Sequence, residues 1–265
     1  MDVRWFDRLR GWLLKRRGLL VPVSIVLAIL LWGIAVRWFS FPAFILPPPD
    51  LVWQRFTQVL QDGSLMRHSF FTLMEVLLGL ALGVSISTAL GYLLARSKSI
   101  ERLLSPYIVA SQSVPIVAIA PLLVIWFGPG IFSKVLICAL IVFFPVLVNT
   151  VVGLRSVPED LRDLMRSLQA TRWQTFRLLE VPAALPVFLG GLRIGATLSV
   201  IGAVVGEFVG ADRGLGFMIN RARGQYDTSL VFVAVLTLII MAMILYGLVV
   251  LLERCMLSWR EQPDI

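Results

Sequence analysis

Ionisable groups embedded in apolar sequence are the first place to look for chemistry, because a charge in hydrocarbon is costly and persists only where it is paired or used. Three stand out: Glu75, Arg193 and Glu207. Glu207 is a candidate to line a solute path or hold an outer gate; the competing role is a buried helix–helix hydrogen bond. Glu75 and Arg193 read as structural. Ser111-Gln112-Ser113, beside Pro115, is a second polar patch, facing either solute or its own helix backbone. The candidate pathway residues are thus Glu207, Ser111, Gln112 and Ser113. No catalytic or metal-ligating residue is expected. Metal enzymes need clusters of His, Asp, Glu or Cys, and His68 is the single histidine in 265 residues. Cys138 and Cys255 lie far apart in or beside apolar stretches, which suggests neither a disulfide framework nor a metal site.

A different constellation occupies "DLMRSLQATRWQTFRLLEVPAALP", from Asp163 to Pro186, where Arg166, Arg172, Arg177 and Glu180 make the chain too polar to cross a bilayer. Just before it, Ser156-Val-Pro-Glu159 reads as a capping box with proline in the first turn. Leu161, Leu164, Met165 and Leu168 follow at helical spacing on one face, with Asp160, Arg162, Asp163 and Arg166 opposite. Thr171-Arg-Trp-Gln174 is a second capping box, so a new helix should start there, with Trp173 and Phe176 on its apolar side. Pro182 and Pro186 should stop it. On residues alone, two short amphipathic helices joined by a bend either rest on a lipid interface, arginines against anionic head groups, or dock into a groove on a soluble partner.

The elements that would carry these groups are membrane spans. Hydrophobic residues make up 58% of the chain and charged ones 15%, with mean hydropathy +0.87; soluble domains sit near about 45–50% and 25%. Six stretches approach the roughly 20 residues that cross a hydrocarbon core: 19–40, 69–95, 103–128, 131–154, 184–210 and 228–252. Of the 24 Lys and Arg, sixteen fall in segments that are inside if the N-terminus is inside, and seven outside; basic residues favour the cytoplasm, so both termini are placed there. The net charge of +8 therefore marks cytoplasmic loops, and no nucleic-acid partner is expected. Between the first two spans, Pro47–Pro49 break the chain. A short helix then restarts with Asp50 as N-cap and Leu51, Val52, Phe56 and Leu60 on one face, lying on the outer surface. The expected organisation is a cytoplasmic basic tail (1–18), a first transmembrane helix (19–40) and an external amphipathic segment (41–68). A five-helix core (69–254) follows, with the inserted helices at 157–180, then a cytoplasmic tail (255–265). Gly79, Gly83, Ser87 and Gly91, and Gly191, Gly195, Ser199 and Ala203, form small-residue stripes suited to close helix packing, and to a second subunit.

The intervals in the inserted segment carry a resemblance. Asp163-Leu164-Met165, three residues, Gln169, nine residues, then Leu179-Glu180-Val181-Pro182 keep the spacing of the EAA signature, Glu-Ala-Ala … Gly … Ile-x-Leu-Pro. On this the chain resembles the permease subunits of ATP-binding-cassette (ABC) importers, over roughly 65–255. "WFGPG" (126–130), "FFPVLVNT" (143–150), "GLRSVPEDL" (153–161) and "GEFVGADRGLGFMI" (206–219) look like the nitrate/sulfonate/taurine branch. "SVPIVAIAPLLVIWFG" (113–128) leans toward its relatives that import pyrimidine or riboflavin-type precursors.

The resemblance implies an all-α integral membrane protein with six transmembrane helices, in the type I ABC importer permease architecture with cytoplasmic coupling helices, in a bacterial inner membrane. It implies a non-enzymatic subunit moving a small solute from an extracytoplasmic binding protein. Partners would be two ABC ATPase subunits and a second permease copy in the lipid bilayer. Asp163, Leu164, Met165, Leu168, Gln169, Ala170, Trp173, Phe176 and Pro182 become the residues expected to couple to the ATPase. No Gly-x-x-x-x-Gly-Lys-[Ser/Thr] loop occurs, so no cofactor is expected on this chain, with ATP and Mg on the partner. Two departures stand out. Asp163 is one methylene shorter than Glu. Gln169 replaces the bend-forming Gly, so the turn is expected to avoid positive φ and to form through the Thr171 cap. The rival class is an ATP-independent secondary transporter or channel, which usually shows an inverted repeat; none is evident.

Overall fold

The computed structural model describes residues 17–258, with side chains from Pro22 onward. Most of the basic tail expected at 1–18, and the C-terminal tail beyond 258, lie outside the described residues. Ten helices follow in order: α1 Arg17–Trp38, α2 Pro49–Gln61, α3 Ser64–Arg96, α4 Lys98–Gln112, α5 Ile116–Phe127, α6 Ile131–Arg155, α7 Glu159–Ser167, α8 Arg172–Gly210, α9 Leu215–Gly224 and α10 Thr228–Met256. Of these, α3, α6, α8 and α10 are long and apolar enough to cross a membrane, and a fifth crossing results if the α4–α5 pair counts as one.

That pair corrects the expected continuous span at 103–128. The two helices meet at 95°, and the break falls at Ser113–Pro115. Pro115 offers no N–H to the helical ladder and pushes Val114 away from helical dihedrals. Another correction concerns α2. Pro48, not Asp50, is its N-cap, and no side chain caps it. Pro49 has the φ that a first helical residue needs, so the helix begins two residues earlier and Asp50 sits in the first turn, where the helix dipole still favours a carboxylate. The face α2 buries is Val52 and Val59, with Phe56 packed against the same core; α2 leans on α10 and α3.

The centre of the bundle is α6, gripped by α3 on one side and α8 on the other. The small-residue stripes make this possible. Gly79, Gly83 and Gly91 of α3 face Cys138, Ala139 and Thr150 of α6, and Gly191, Gly202 and Gly206 of α8 face Asn149, Cys138 and Lys134. A Cβ at Gly83 would lie 2.8 Å from the Ala139 carbonyl oxygen, and one at Gly202 2.8 Å from Cys138 Cα. Removing these side chains lets backbones approach and adds dispersion contacts, the main attraction between helices in lipid. Both stripes are thus used within the chain.

Candidate functional site

Two polar regions lie at opposite ends of the bundle. The first, at the α9 end, centres on Glu207, which is 1% exposed. Its Oε1 accepts from the Thr72 hydroxyl at 2.7 Å, and its Oε2 accepts from the Gly216 N–H. Gly216 lies in the first turn of α9, whose N-terminal N–H groups have no helical partners of their own. Glu207 therefore caps α9 from the neighbouring helix, its carboxyl set at the positive end of the helix dipole. The Leu215 N–H donates to Thr72 Oγ1 at 2.8 Å and the Gly214 N–H to His68 Nδ1 at 3.0 Å, so α3 holds the same loop. A Cβ on Gly214 would overlap the Glu207 carboxyl, and its φ of 102° is one that L side chains rarely adopt.

Two more buried charges stand beside this cap. Glu75, 5% exposed, feels the charges of both Glu207 and Lys134, and its Oε2 has no hydrogen-bond partner. Lys134, 3% exposed, directs its ammonium at the carbonyls of Pro129 (2.5 Å) and Gly130 (3.2 Å). Sequence reasoning missed Thr72 and Lys134. Thr72 stands four residues after His68 and three before Glu75, on one helical face; Lys134 lies near the start of an apolar run, where a basic residue reads as an ordinary flanking charge. The Ser111-Gln112-Ser113 patch is not near this network. It lies exposed at the α4–α5 bend, its hydroxyls bonded to the carbonyls of Ile108 (2.9 Å) and Val109 (3.5 Å).

The opposite end carries α7 and the start of α8. Here the geometry corrects the expected Ser156–Glu159 capping box. Ser156 caps the C-terminus of α6, its hydroxyl donates to Gly153 O at 2.8 Å, and Pro158 begins α7 with no side-chain cap. The Thr171–Gln174 box is present in both directions. The bend between them also differs from expectation, because Gln169 does adopt positive φ, 53°. Ala170 N–H donates to Met165 O (3.0 Å) and Gln169 N–H to Arg166 O (2.9 Å), the paired bonds of a Schellman turn with Gln169 in its left-handed position. Two recovered hydrogen bonds offset the steric cost that Gly would have avoided.

Nor do the prolines stop the second helix. It runs unbroken from Arg172 to Gly210 through one wide turn, Phe176–Glu180, where Val181 N–H reaches back five residues to Phe176 O. That turn displaces the carbonyl which Pro182 would otherwise strike. Phe176 faces inward, edge-on to Tyr92 at 5.3 Å. Glu180, almost fully buried, accepts from Arg96 at 2.9 Å. Leu164, Leu168 and Trp173 face outward and are more than half exposed, Asp163 and Arg166 form an exposed ion pair at 2.7 Å, and Met165 and Ala170 are half-buried.

The described residues thus form a multi-pass helical membrane bundle whose embedded charges hold helices to one another, with an amphipathic helix pair at one end. Comparison with known proteins defines it further. A family model described as binding-protein-dependent transport system inner membrane component matches residues 87–258. The riboflavin transport system permease protein RibX of Chloroflexus aurantiacus is 48% identical over 239 residues, 90% of this chain and 89% of that one. The formylaminopyrimidine transport permease protein ThiX of Halalkalibacterium halodurans is 37% identical over 89% of this chain and 94% of its own. A chain of the MetNI methionine ABC transporter, solved in an inward-facing conformation, superimposes with TM-score 0.66 at 19% identity, covering 74% of this chain and 97% of that one; it shares the fold. The chain belongs to the binding-protein-dependent transport system inner membrane component family, the permeases of ABC importers, and is not itself an enzyme.

Proposed function

We propose that the α7–α8 hairpin is the element through which an ATPase drives this permease. The observation that carries the reading is an apolar face left exposed among the described residues, Leu161, Leu164, Leu168 and Trp173, on a hairpin closed by a Schellman turn and a capping box. An amphipathic helix presented this way fits a groove on a soluble partner. Asp163, Met165, Gln169 and Ala170 shape the hairpin, and Phe176 and Pro182 carry its movement into α8 by continuous helix. ATP and Mg bind the partner; ATP-driven closure of two ATPases brings two hairpins together and rocks the spans between inward- and outward-facing states. The working assembly is two copies of the permease, two ATPases and an extracytoplasmic binding protein. Both termini and the hairpin face the cytoplasm, as the basic-residue count supports, and six crossings result if α1 and the bent α4–α5 pair each span once.

The transported solute is a small heteroaromatic, of the riboflavin or pyrimidine-precursor kind. Two relatives of 48% and 37% identity, named for riboflavin and formylaminopyrimidine, support this. Glu207 serves as a cap and not as a solute ligand, because its carboxyl is enclosed and its oxygens are taken up by Thr72 and Gly216.

Asp163→Lys in the reconstituted importer tests the coupling. The expected outcome is a permease that still co-purifies its membrane partner copy and keeps its melting temperature, while solute uptake falls at least tenfold and ATP hydrolysis no longer responds to the binding protein. Full uptake by this variant, or uptake by the purified permease alone without nucleotide, overturns the proposal and favours a secondary carrier.

A further inference from the structure

The α7 end holds two adjoining cavities that the coupling reading does not use. One is an apolar groove of about 370 Å³ between α3, α6 and α8, lined among others by Thr88, Ala89, Phe176, Leu185 and Phe188. The other is a polar pocket of about 130 Å³ formed by Tyr92, Ala95, Arg96, Leu154, Arg162 and Glu180. Tyr92 and Leu154 line both, so the groove leads into the pocket. Two guanidiniums and one carboxylate give the pocket a net charge of one positive. Arg96 is already committed, to Glu180 at 2.9 Å and to the Tyr92 hydroxyl at 3.1 Å. Arg162 is not. Its Nη2 donates to Leu154 O at 2.8 Å, but its Nε is buried and has no partner among the described residues. A buried donor left unmade costs free energy, and the side chain that carries it lines the pocket. Thr88 Oγ1, in the groove, is likewise buried and unpartnered.

We infer that groove and pocket together bind one glycerophospholipid, its phosphodiester against Arg162 and Arg96 and an acyl chain along the groove. One negative charge on the phosphodiester matches the pocket's single excess positive charge, and a phosphate oxygen supplies the acceptor that Arg162 Nε lacks. Basic pockets between helix ends at the cytoplasmic level suit lipid head groups; this placement rests on the orientation proposed above. Arg162 belongs to α7 and Tyr92 to α3, so the lipid bridges the hairpin to the spans. It acts there as a spacer holding the hairpin's angle.

The full-length chain, delipidated in detergent, is titrated with dioleoylphosphatidylglycerol and, separately, inorganic phosphate, and adducts are counted by native mass spectrometry. The expected result is one saturable lipid adduct that equimolar phosphate leaves in place. Arg162→Gln should weaken it at least tenfold. Ala89→Phe should do the same, since Ala89 is on an exposed wall where a larger side chain fills the groove without touching a charge; Thr88→Phe replaces it if Ala89→Phe melts early. Three results overturn the inference: both variants keep the adduct; phosphate competes and only Arg162→Gln matters, which makes this a phosphate site; or Ala89→Phe separates a two-copy assembly, which makes the groove a subunit interface. The adduct is read without an ATPase. If it is absent while Asp163→Lys still uncouples, the lipid site alone fails.

Discussion

Glu207 and Asp163 are both carboxylates within one continuous stretch of the same molecule, and they live under opposite rules. Glu207 is enclosed at the α9 end, surrounded by Thr72, Gly216 and Glu75. Asp163 is 64% exposed at the α7 end, where it pairs with Arg166, itself 78% exposed. A surface pair of that kind contributes about 0–1 kcal/mol, whereas a buried charge stripped of its partner costs several. The α9 end is therefore a lock: its polar groups fix where α9 sits against α3 and α8. The α7 end has apolar area and charge still unspent, which is the condition of a surface waiting for a partner.

If this contrast is right, substitution at the lock changes stability first, and substitution at the hairpin changes function first. The largest effect is expected from Lys134→Met. It removes the positive charge that Glu75 feels and the donor from which the Pro129 and Gly130 carbonyls accept, and loss of one partner from a buried charged cluster costs about 3–5 kcal/mol. Thermal unfolding in detergent should show an early transition, whereas Glu75→Gln, which keeps the side chain's size and hydrogen-bonding capacity while removing its ionisable group, should leave the melt almost unchanged. Equal damage from both would mean that the cluster is not governed by charge.

Next in size is Glu207→Ala, which leaves the Thr72 hydroxyl only the His68 carbonyl at 3.2 Å and orphans an N-terminal N–H of α9, at about 1–3 kcal/mol for an unmet buried donor. Amide exchange should quicken at Gly216 and its neighbours in α9 while the centre of α6 stays protected. Glu207→Gln keeps an acceptor and should lose less. Exchange that rises evenly through the whole bundle would show that the cap is not local.

Much of the bundle was legible because its rules are one-dimensional. Long apolar runs mark α3, α6, α8 and α10, and glycines at spacing four announce close packing. What the residues did not announce was the partner of each stripe: both meet α6, a fact of three-dimensional arrangement. The α4–α5 bend was missed because Val114-Pro115 lies in sequence as apolar as any span, and hydropathy does not register a missing N–H. The Glu207 cap was half legible. The charge stood out, but its donors come from residues 9 and 135 positions away. Ser156–Glu159 misled for a local reason: the hydroxyl had a nearer acceptor in the preceding helix, and Pro158 took the boundary. The continuation through Pro182 was hidden because one wide turn is invisible to a rule that treats proline as a stop.

The smallest expected effect is at Gln169, and it tests the hairpin's side of the comparison most finely. A left-handed backbone costs an L residue roughly 1–2 kcal/mol, and Gln169 bears it at φ 53°. Gln169→Gly removes that strain but adds conformational freedom to the unfolded chain, which gives back about 0.5–1 kcal/mol. The net gain should be at most about 1.5 kcal/mol, local to the turn. It should appear as slower amide exchange at Ala170, whose N–H closes the turn onto Met165 O, with no change in the global melt. Gln169→Val is the counterpart: a β-branched side chain resists positive φ, so the Ala170 amide should exchange faster and uptake should fall, again with the melt unmoved. If Val instead lowers the melting temperature of the whole bundle, the hairpin is part of the lock, and the division between a fixed end and a gripped end fails.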